Sequence, residues 1–193
     1  MESAMHIDIY DFDKTVVPYD SAMRYWLWCL LHRPYLILFL PYQIFWSLLA
    51  LMRIIKVPTY KKHCFRFVSL LNTQKTVQRF WDKHQKDVYP FFLPQNRDNS
   101  RKCVIISASP DFLINEIAAR LNADYCIATH HDPKNGKLLG KVCRREQKVA
   151  RLFELLPDAE VENVYSDSPE HDSFIFDLGK NRYLANKGIL KKL

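Results

Sequence analysis

Two rhythms of hydrophobic positions run along this chain. His6-Ile7-Asp8-Ile9-Tyr10 leans apolar and reads as a strand. Val104-Ile105-Ile106 is wholly apolar, the mark of a strand buried on both faces of a parallel sheet. Asp124 to Thr129, Glu162 to Tyr165 and Tyr183 to Ala185 read as further strands. Helical patterns lie between them. Asp111 to Leu121 sets Phe112, Ile114, Ile117 and Leu121 along one side. Arg144-Arg145-Glu146-Gln147 opens another helix through Leu156. Asn135-Gly136 signals a hairpin turn with Lys137 to Lys141 returning. Phe174 to Leu178 continues as an apolar helix or turn, and Lys187 to Leu193 is expected to be loosely held. Strands alternating with helices predict an α/β fold: a Rossmann-like parallel sheet flanked by helices.

One stretch interrupts that alternation. Asp20 or Ser21 is placed to cap a helix starting near Ala22. From Tyr25 to Val57 the chain is crowded with Trp, Leu, Tyr, Phe and Ile. Between Tyr35 and Met52 lie roughly 18 uncharged residues, close to the length that spans a bilayer, with Arg33 and Arg53 at the flanks. Pro34 and Pro41 break the run. It reads either as buried helices of a cap or as a hairpin lying in or dipping into a membrane face. From Thr59 to about Tyr89 the pattern is helical, amphipathic and basic, and the polar stretch from Gln95 to Ser100 ends the insertion. The expected division is a core of 1–20 and 96–193 with a helical cap insertion at 21–95.

Composition narrows the picture. With 193 residues, 48% hydrophobic and 25% charged, the chain can bury a real core. A net charge of +7 favours anionic partners without choosing among them. No nucleic-acid reading motif is present, so no nucleic-acid partner is expected. The 5 cysteines are scattered with no C-x-x-C pair, which fits a reducing compartment. The start lacks a basic region followed by an apolar core, so no signal peptide is expected. The expected location is the cytoplasm, with the inner membrane surface as the option raised by 25–57.

The candidate chemistry sits just after the strands. Asp11-Phe12-Asp13-Lys14-Thr15 follows the first. Two carboxylates two residues apart at a strand end project the same way. One can attack an electrophile while the other carries a proton, and together they can hold a hard cation. The plainer reading is a loop whose acids cap the next helix. Ser107-Ala108-Ser109-Pro110 links a strand to a helix, where free amides favour an anion. Lys148 lies in a first helical turn, against the dipole preference, which makes sense if it faces a phosphate. Lys141, Arg144 and Arg145 compete with it for that role. Ser166 to Asp172 gathers carboxylates past a third strand end.

In this order the motifs resemble those of haloacid dehalogenase superfamily phosphatases, in the branch that includes phosphoserine phosphatase. The likeness covers 5–20 and about 100–190, and that branch places a helical cap between its first two motifs. In composition the insertion is also similar to bacterial C-type phosphatidylglycerophosphate phosphatases. The resemblance implies that Asp11 is the nucleophile and Asp13 the proton carrier. It implies that Thr15, Ser107 and Lys148 bind the phosphate, with the backbone amides near Ala108 and Ser109 helping to hold the phosphoryl oxygens. It also implies Mg2+ held by Asp11, the main-chain carbonyl of Asp13, and Asp167. The family often has an aspartate four positions after Asp167. Here that position is His171, so Asp172, one further on, is assigned the supporting role. Lys14 stands where the family commonly has glycine. The implied activity is a magnesium-dependent phosphomonoesterase working through an aspartyl-phosphate. Its substrate would be a small phosphorylated metabolite or a lipid phosphate. The alternative is a membrane-associated binding or scaffold protein with an inactive phosphatase-like core.

Overall fold

The computed structural model of the protein describes residues 5–193. Six strands form one sheet: β1 (Met5–Asp11), β2 (Lys102–Pro110), β3 (Tyr125–Thr129), β4 (Ala159–Ser166), β5 (Asn181–Asn186) and β6 (Ile189–Lys192). Their order is β3-β2-β1-β4-β5-β6. All pairings are parallel except β5 with β6. The chain leaves β1 toward β2 and β3 on one side, then returns to place β4 on the other. The switch of direction therefore falls between β1 and β4, where an open α/β sheet binds its ligands.

Alternation along the strands divides the core into two layers. Ile7, Ile9, Val104, Ile106 and Val164 pack against α6 (Glu146–Leu155) and α7 (Ser173–Phe176) through Leu152, Ile175 and Phe176. Tyr10, Phe12 and Ile105 face the other way, toward α5 (Asp111–Arg120) and the insertion. The insertion holds α1 (Ser21–His32), α2 (Leu40–Leu51), α3 (Val57–Cys64) and α4 (Thr73–His84), with a 3-10 segment at Pro34–Phe39. Asp20 caps α1 by accepting from the Met23 amide at 2.8 Å, and Asn72 caps α4 through the Lys75 amide at 3.1 Å. On α4, Trp81 is fully buried, its indole N–H donates to the Leu113 carbonyl at 2.8 Å, and its ring meets Phe12 edge-on. Insertion and sheet thus share one hydrophobic cluster.

Three local expectations change. The end of the chain is a paired edge strand, β6, not a loose tail. Lys187 and Gly188, at φ 49° and 82°, make the tight reversal that sends it back along β5. The strand through Val104–Ile106 runs on to Pro110, so Ser107 to Ser109 lie on a strand end with a register shift. The hairpin at Asn135-Gly136 shrinks to a single bridge between His131 and Leu138.

Gly136 in that loop marks a seam. It has φ +69°, and a Cβ there would stand 1.8 Å from the Phe65 carbonyl oxygen of the insertion. Gly136→Ala is expected to cost at least about 2 kcal/mol, from a left-handed conformation and a backbone clash together. A thermal melt would read this as a lowered Tm; an unchanged Tm would mean the loop does not press on the insertion.

Candidate active site

The carboxyl ends of β1, β2 and β4 bring the sequence motifs together. Asp11 closes β1 and is buried. Its Oδ1 accepts from Lys148 Nζ at 2.6 Å, and the same ammonium donates to Asp172 Oδ1 at 2.6 Å. Asp172 Oδ2 in turn accepts from the Ser166 hydroxyl at 2.6 Å. Lys148 is 3% exposed, in the first turn of α6, which starts after Arg145 at φ 53°. The anomalous lysine is therefore the buried one. Asp172 is buried where His171 is exposed. Burial alone would discharge Lys148, yet Asp11 and Asp172 raise its hold on the proton. Burial pushes the Asp11 carboxyl up, and Lys148 opposes that shift.

Asp13 lives in a different setting. Its Oδ1 accepts from the Ser21 amide at 2.7 Å and its Oδ2 from the Ser109 hydroxyl at 2.5 Å. Ser21 is the first residue of α1, so Asp13 faces the positive end of a helix in the insertion. No cation is bonded to it among the described residues. Its pKa is raised, by burial first and then by the like charge of Asp20, against the hydrogen bonds from Ser109 and Ser21. Between the two aspartates Phe12 is fully buried, which fixes both on the site side.

The remaining groups divide into free and engaged. The Thr15 hydroxyl accepts from the Asp167 amide at 2.8 Å and lies 3.5 Å from Asp11 Oδ2, so it ties the first motif to the fourth. The Ser107 hydroxyl is fully buried and accepts from the Ser109 amide at 3.1 Å; its own proton has no acceptor among the described residues. The carbonyl of Ala108 accepts from Lys61 Nζ at 3.1 Å and from the Thr129 hydroxyl at 2.8 Å. Lys14 sits at φ 61°, which accounts for glycine being common there. The half-buried Asp167 carboxylate makes no hydrogen bond to another residue among those described, its own amide being the one donor beside it. Its pKa is raised by burial, with Lys14 opposing.

The donor set fits a hard cation. Asp11 and Asp172 share one buried ammonium, with Asp13 close to Asp11 and Asp167 close to Asp172, so negative charge is in excess, and the Asp167 carboxylate is an unused oxygen ligand. Among the described residues, the trio of side-chain ligand atoms within 4.8 Å of one another is His6, Glu160 and Glu162. It lies at the opposite end of the strands, and Lys180 bonds both glutamates. At the candidate site a main-chain oxygen would have to complete the shell, as expected for Asp13.

Several participants escaped the reading of the sequence. Ser21, Ser166 and Lys61 each hold a site residue or its backbone. Ser166 had a signal, since it ends the third strand of the pattern. Lys61 had none, being one of several basic residues on an amphipathic helix.

A parallel sheet whose switch point collects carboxylates around a buried lysine is the layout of an α/β enzyme. The sequence model of the haloacid dehalogenase-like hydrolases matches residues 9–172, and the chain belongs to that family. Over 78 residues it is 36% identical to Protein CicA of Caulobacter vibrioides, covering 37% of this chain and 35% of that protein. It thus spans about a third of the length of the curated relatives it matches. Its fold is similar to that of a protein of unknown function from Bordetella pertussis Tohama I, with TM-score 0.74, 17% identity, and coverage of 91% of this chain and 87% of that one. It is also similar to a probable phosphoserine phosphatase from Vibrio cholerae, with TM-score 0.63, 14% identity, and coverage of 92% and 55%. At these identities the likeness is one of fold.

Proposed function

We propose that this protein is a magnesium-dependent phosphomonoesterase that works through an aspartyl-phosphate on Asp11. The observation that carries the reading is the contrast between the paired aspartates. Asp11 has an ammonium at 2.6 Å that favours its ionised form, whereas Asp13 has only neutral donors and a nearby like charge. Two carboxylates set apart in this way are suited to be nucleophile and proton carrier.

The steps follow from those positions. A carboxylate oxygen of Asp11 attacks phosphorus while the bond to the leaving oxygen breaks. Protonated Asp13 gives its proton to that oxygen. Asp13, now ionised, then takes a proton from a water that attacks the phosphoryl group, releasing inorganic phosphate and restoring Asp11. The Ser107 hydroxyl and Lys148 hold phosphoryl oxygens as charge develops on them. Thr15 and Ser109 act through others: Thr15 joins Asp11 to Asp167, and Ser109 orients Asp13. Asp172 and Ser166 hold Lys148 in place. Mg2+ would be held by the carboxylates of Asp11 and Asp167 and the Asp13 carbonyl. When bound it supplies positive charge that offsets repulsion between carboxylate and phosphate. The substrate class is a phosphorylated metabolite or a lipid phosphate, met in the cytoplasm or at the inner membrane surface. The complete set Asp11, Asp13, Ser107, Lys148 and Asp167 favours an enzyme over an inactive scaffold.

Hydrolysis of an aryl phosphate with and without Mg2+ tests the reading. Metal-dependent turnover is expected, and turnover indifferent to chelation would contradict it.

Asp13 also gives a pH signature. Because its folded pKa is raised, the stability tied to its proton is complete below the ordinary carboxylate pKa and is lost as pH rises through the folded value. Asp13→Asn keeps an oxygen for the Ser21 amide and a donor for Ser109. It is expected to lower kcat by about 10²–10⁴-fold. At neutral pH it is expected to raise Tm by a few °C or so, a gain that vanishes toward acid pH. Melts across pH would check this; a lowered Tm at neutral pH would count against a strained Asp13.

A further inference from the structure

The insertion leaves an apolar face without a partner. Of the run Pro34–Leu51, 11% is buried. On one side α2 is tied to the insertion: Gln43 donates to the Cys64 carbonyl at 2.8 Å, the Tyr42 hydroxyl meets His63 Nδ1 at 2.7 Å, and the Trp46 ring stacks on His63 at 3.5 Å. Away from those ties Ile37, Leu38, Phe45 and Leu51 stand in the open, Leu38 at 83% and Leu51 at 79%. Arg33 and Arg53 bound the run, and exposed Lys56, Lys62 and Arg66 follow it. An apolar face rimmed by cations matches an anionic bilayer, whose interior takes the side chains and whose headgroups meet the bases. A lone crossing is ruled out, because β1 and β2 on either side of the insertion bring Asp11 and Ser107 to one site.

A groove lies beside this face. It encloses about 490 Å³ and is lined by Trp26, Ile44, Leu48 and Leu51 among other apolar side chains. That volume is within the range of small-molecule sites. Two charged residues also line it, Asp20 and Lys61. Both adjoin the reaction centre. Asp20 precedes Ser21, whose amide holds Asp13, and Lys61 reaches the carbonyl of Ala108, between Ser107 and Ser109. One end of the groove therefore lies at Asp20 and Lys61, which flank the proton carrier's surroundings, and the other reaches the open apolar face at Leu51.

We propose that this groove is the leaving-group subsite for an apolar chain, and that the substrate is a lipid phosphomonoester taken from an anionic bilayer on which the Pro34–Leu51 face rests. The proposal rests on the phosphomonoesterase reading above and specifies its substrate. The leaving oxygen would be presented to Asp13, with its chain passing between α1 and α2 into the lipid.

The test compares Mg2+-dependent hydrolysis of an aryl phosphate, monomeric alkyl phosphates of rising length, and phosphatidic acid in vesicles containing phosphatidylglycerol. The full chain, Ile44→Trp to fill the groove, and Leu38→Glu with Phe45→Glu on the open face are measured alike. Each rate is divided by the same variant's rate on aryl phosphate, so misfolding cancels. For the native chain, kcat/KM is expected to rise about fourfold per methylene until the groove is filled. Ile44→Trp is expected to flatten that rise. The double glutamate variant is expected to spare the alkyl series and to lose vesicle binding and most turnover of phosphatidic acid. Aryl phosphate turnover with no dependence on chain length would overturn the subsite alone. A native dimer that ignores vesicles would overturn the bilayer as the occupant of the face. No turnover of any phosphate would overturn the phosphomonoesterase reading and the substrate with it, while vesicle binding would still be read independently.

Discussion

Asp11→Asn should abolish turnover and leave the protein folded. Asparagine keeps an oxygen that can accept from Lys148, and Lys148 retains Asp172 at 2.6 Å. The change also removes one negative charge from a buried cluster that has too many. The fold should therefore hold, with a Tm equal to or above that of the native chain. An amide cannot serve as the attacking group, so kcat should fall by about 10⁴-fold or more. Steady-state hydrolysis of an aryl phosphate and a thermal melt on the same preparation check both halves. Near-native activity would show that Asp11 is not the nucleophile.

Lys148→Ala should damage both stability and activity. The ammonium donates at 2.6 Å to each of two buried carboxylates, Asp11 and Asp172. Its removal leaves them facing each other with no counter-charge, a loss of roughly 3–5 kcal/mol. In a domain of this length that lowers Tm by about 10 °C or more. The deficit should shrink as pH falls and Asp11, whose carboxyl burial already pushes up, takes up a proton. Turnover should drop by about 10²–10³-fold as a donor to the phosphoryl oxygens is lost. Lys141→Ala is the contrast. Among the described residues the Lys141 side chain makes no hydrogen bond or ion pair, while its backbone carbonyl accepts from Arg151 at 2.7 Å, and alanine keeps that carbonyl. If Lys141→Ala were the crippling change, the lysine assignment would be misplaced.

The parts of the site that were legible in the sequence share one property: each directly follows a strand that its own apolar pattern announces. Asp11, Ser107 and Asp167 could be placed because a strand end fixes where the next side chains point. Lys148 was legible as an anomaly, a cation at the wrong end of a helix. What the sequence left open were matters of side-chain contact. His171 and Asp172 are adjacent, and only packing turns Asp172 toward Lys148 and leaves His171 exposed. Thr15 and the Ser109 amide were assigned to phosphate by resemblance, and what the sequence did not show is that the Thr15 hydroxyl meets the Asp167 amide and the Ser109 hydroxyl meets Asp13. The return of the C-terminus as β6 was missed because Lys187, at positive φ, is not a usual turn residue. Composition could show that Pro34–Leu51 is apolar but not which side of it the rest of the protein covers. Trp81 on the insertion and Phe12 beside the site lie far apart in sequence, and their contact joins the insertion to the sheet.

The most direct test of an aspartyl-phosphate is to trap it. An aryl leaving group needs no proton, so Asp13→Asn should still transfer the phosphoryl group to Asp11. Lacking a base for water, it should then release the group slowly. Acid quenching of that variant after mixing with aryl phosphate and Mg2+, followed by peptide mass spectrometry, should find one phosphoryl group on the peptide bearing Asp11. The adduct should be lost on treatment with hydroxylamine. A phosphoryl group on Ser107 or elsewhere, or continued turnover with no phosphoenzyme at any time, would contradict the mechanism.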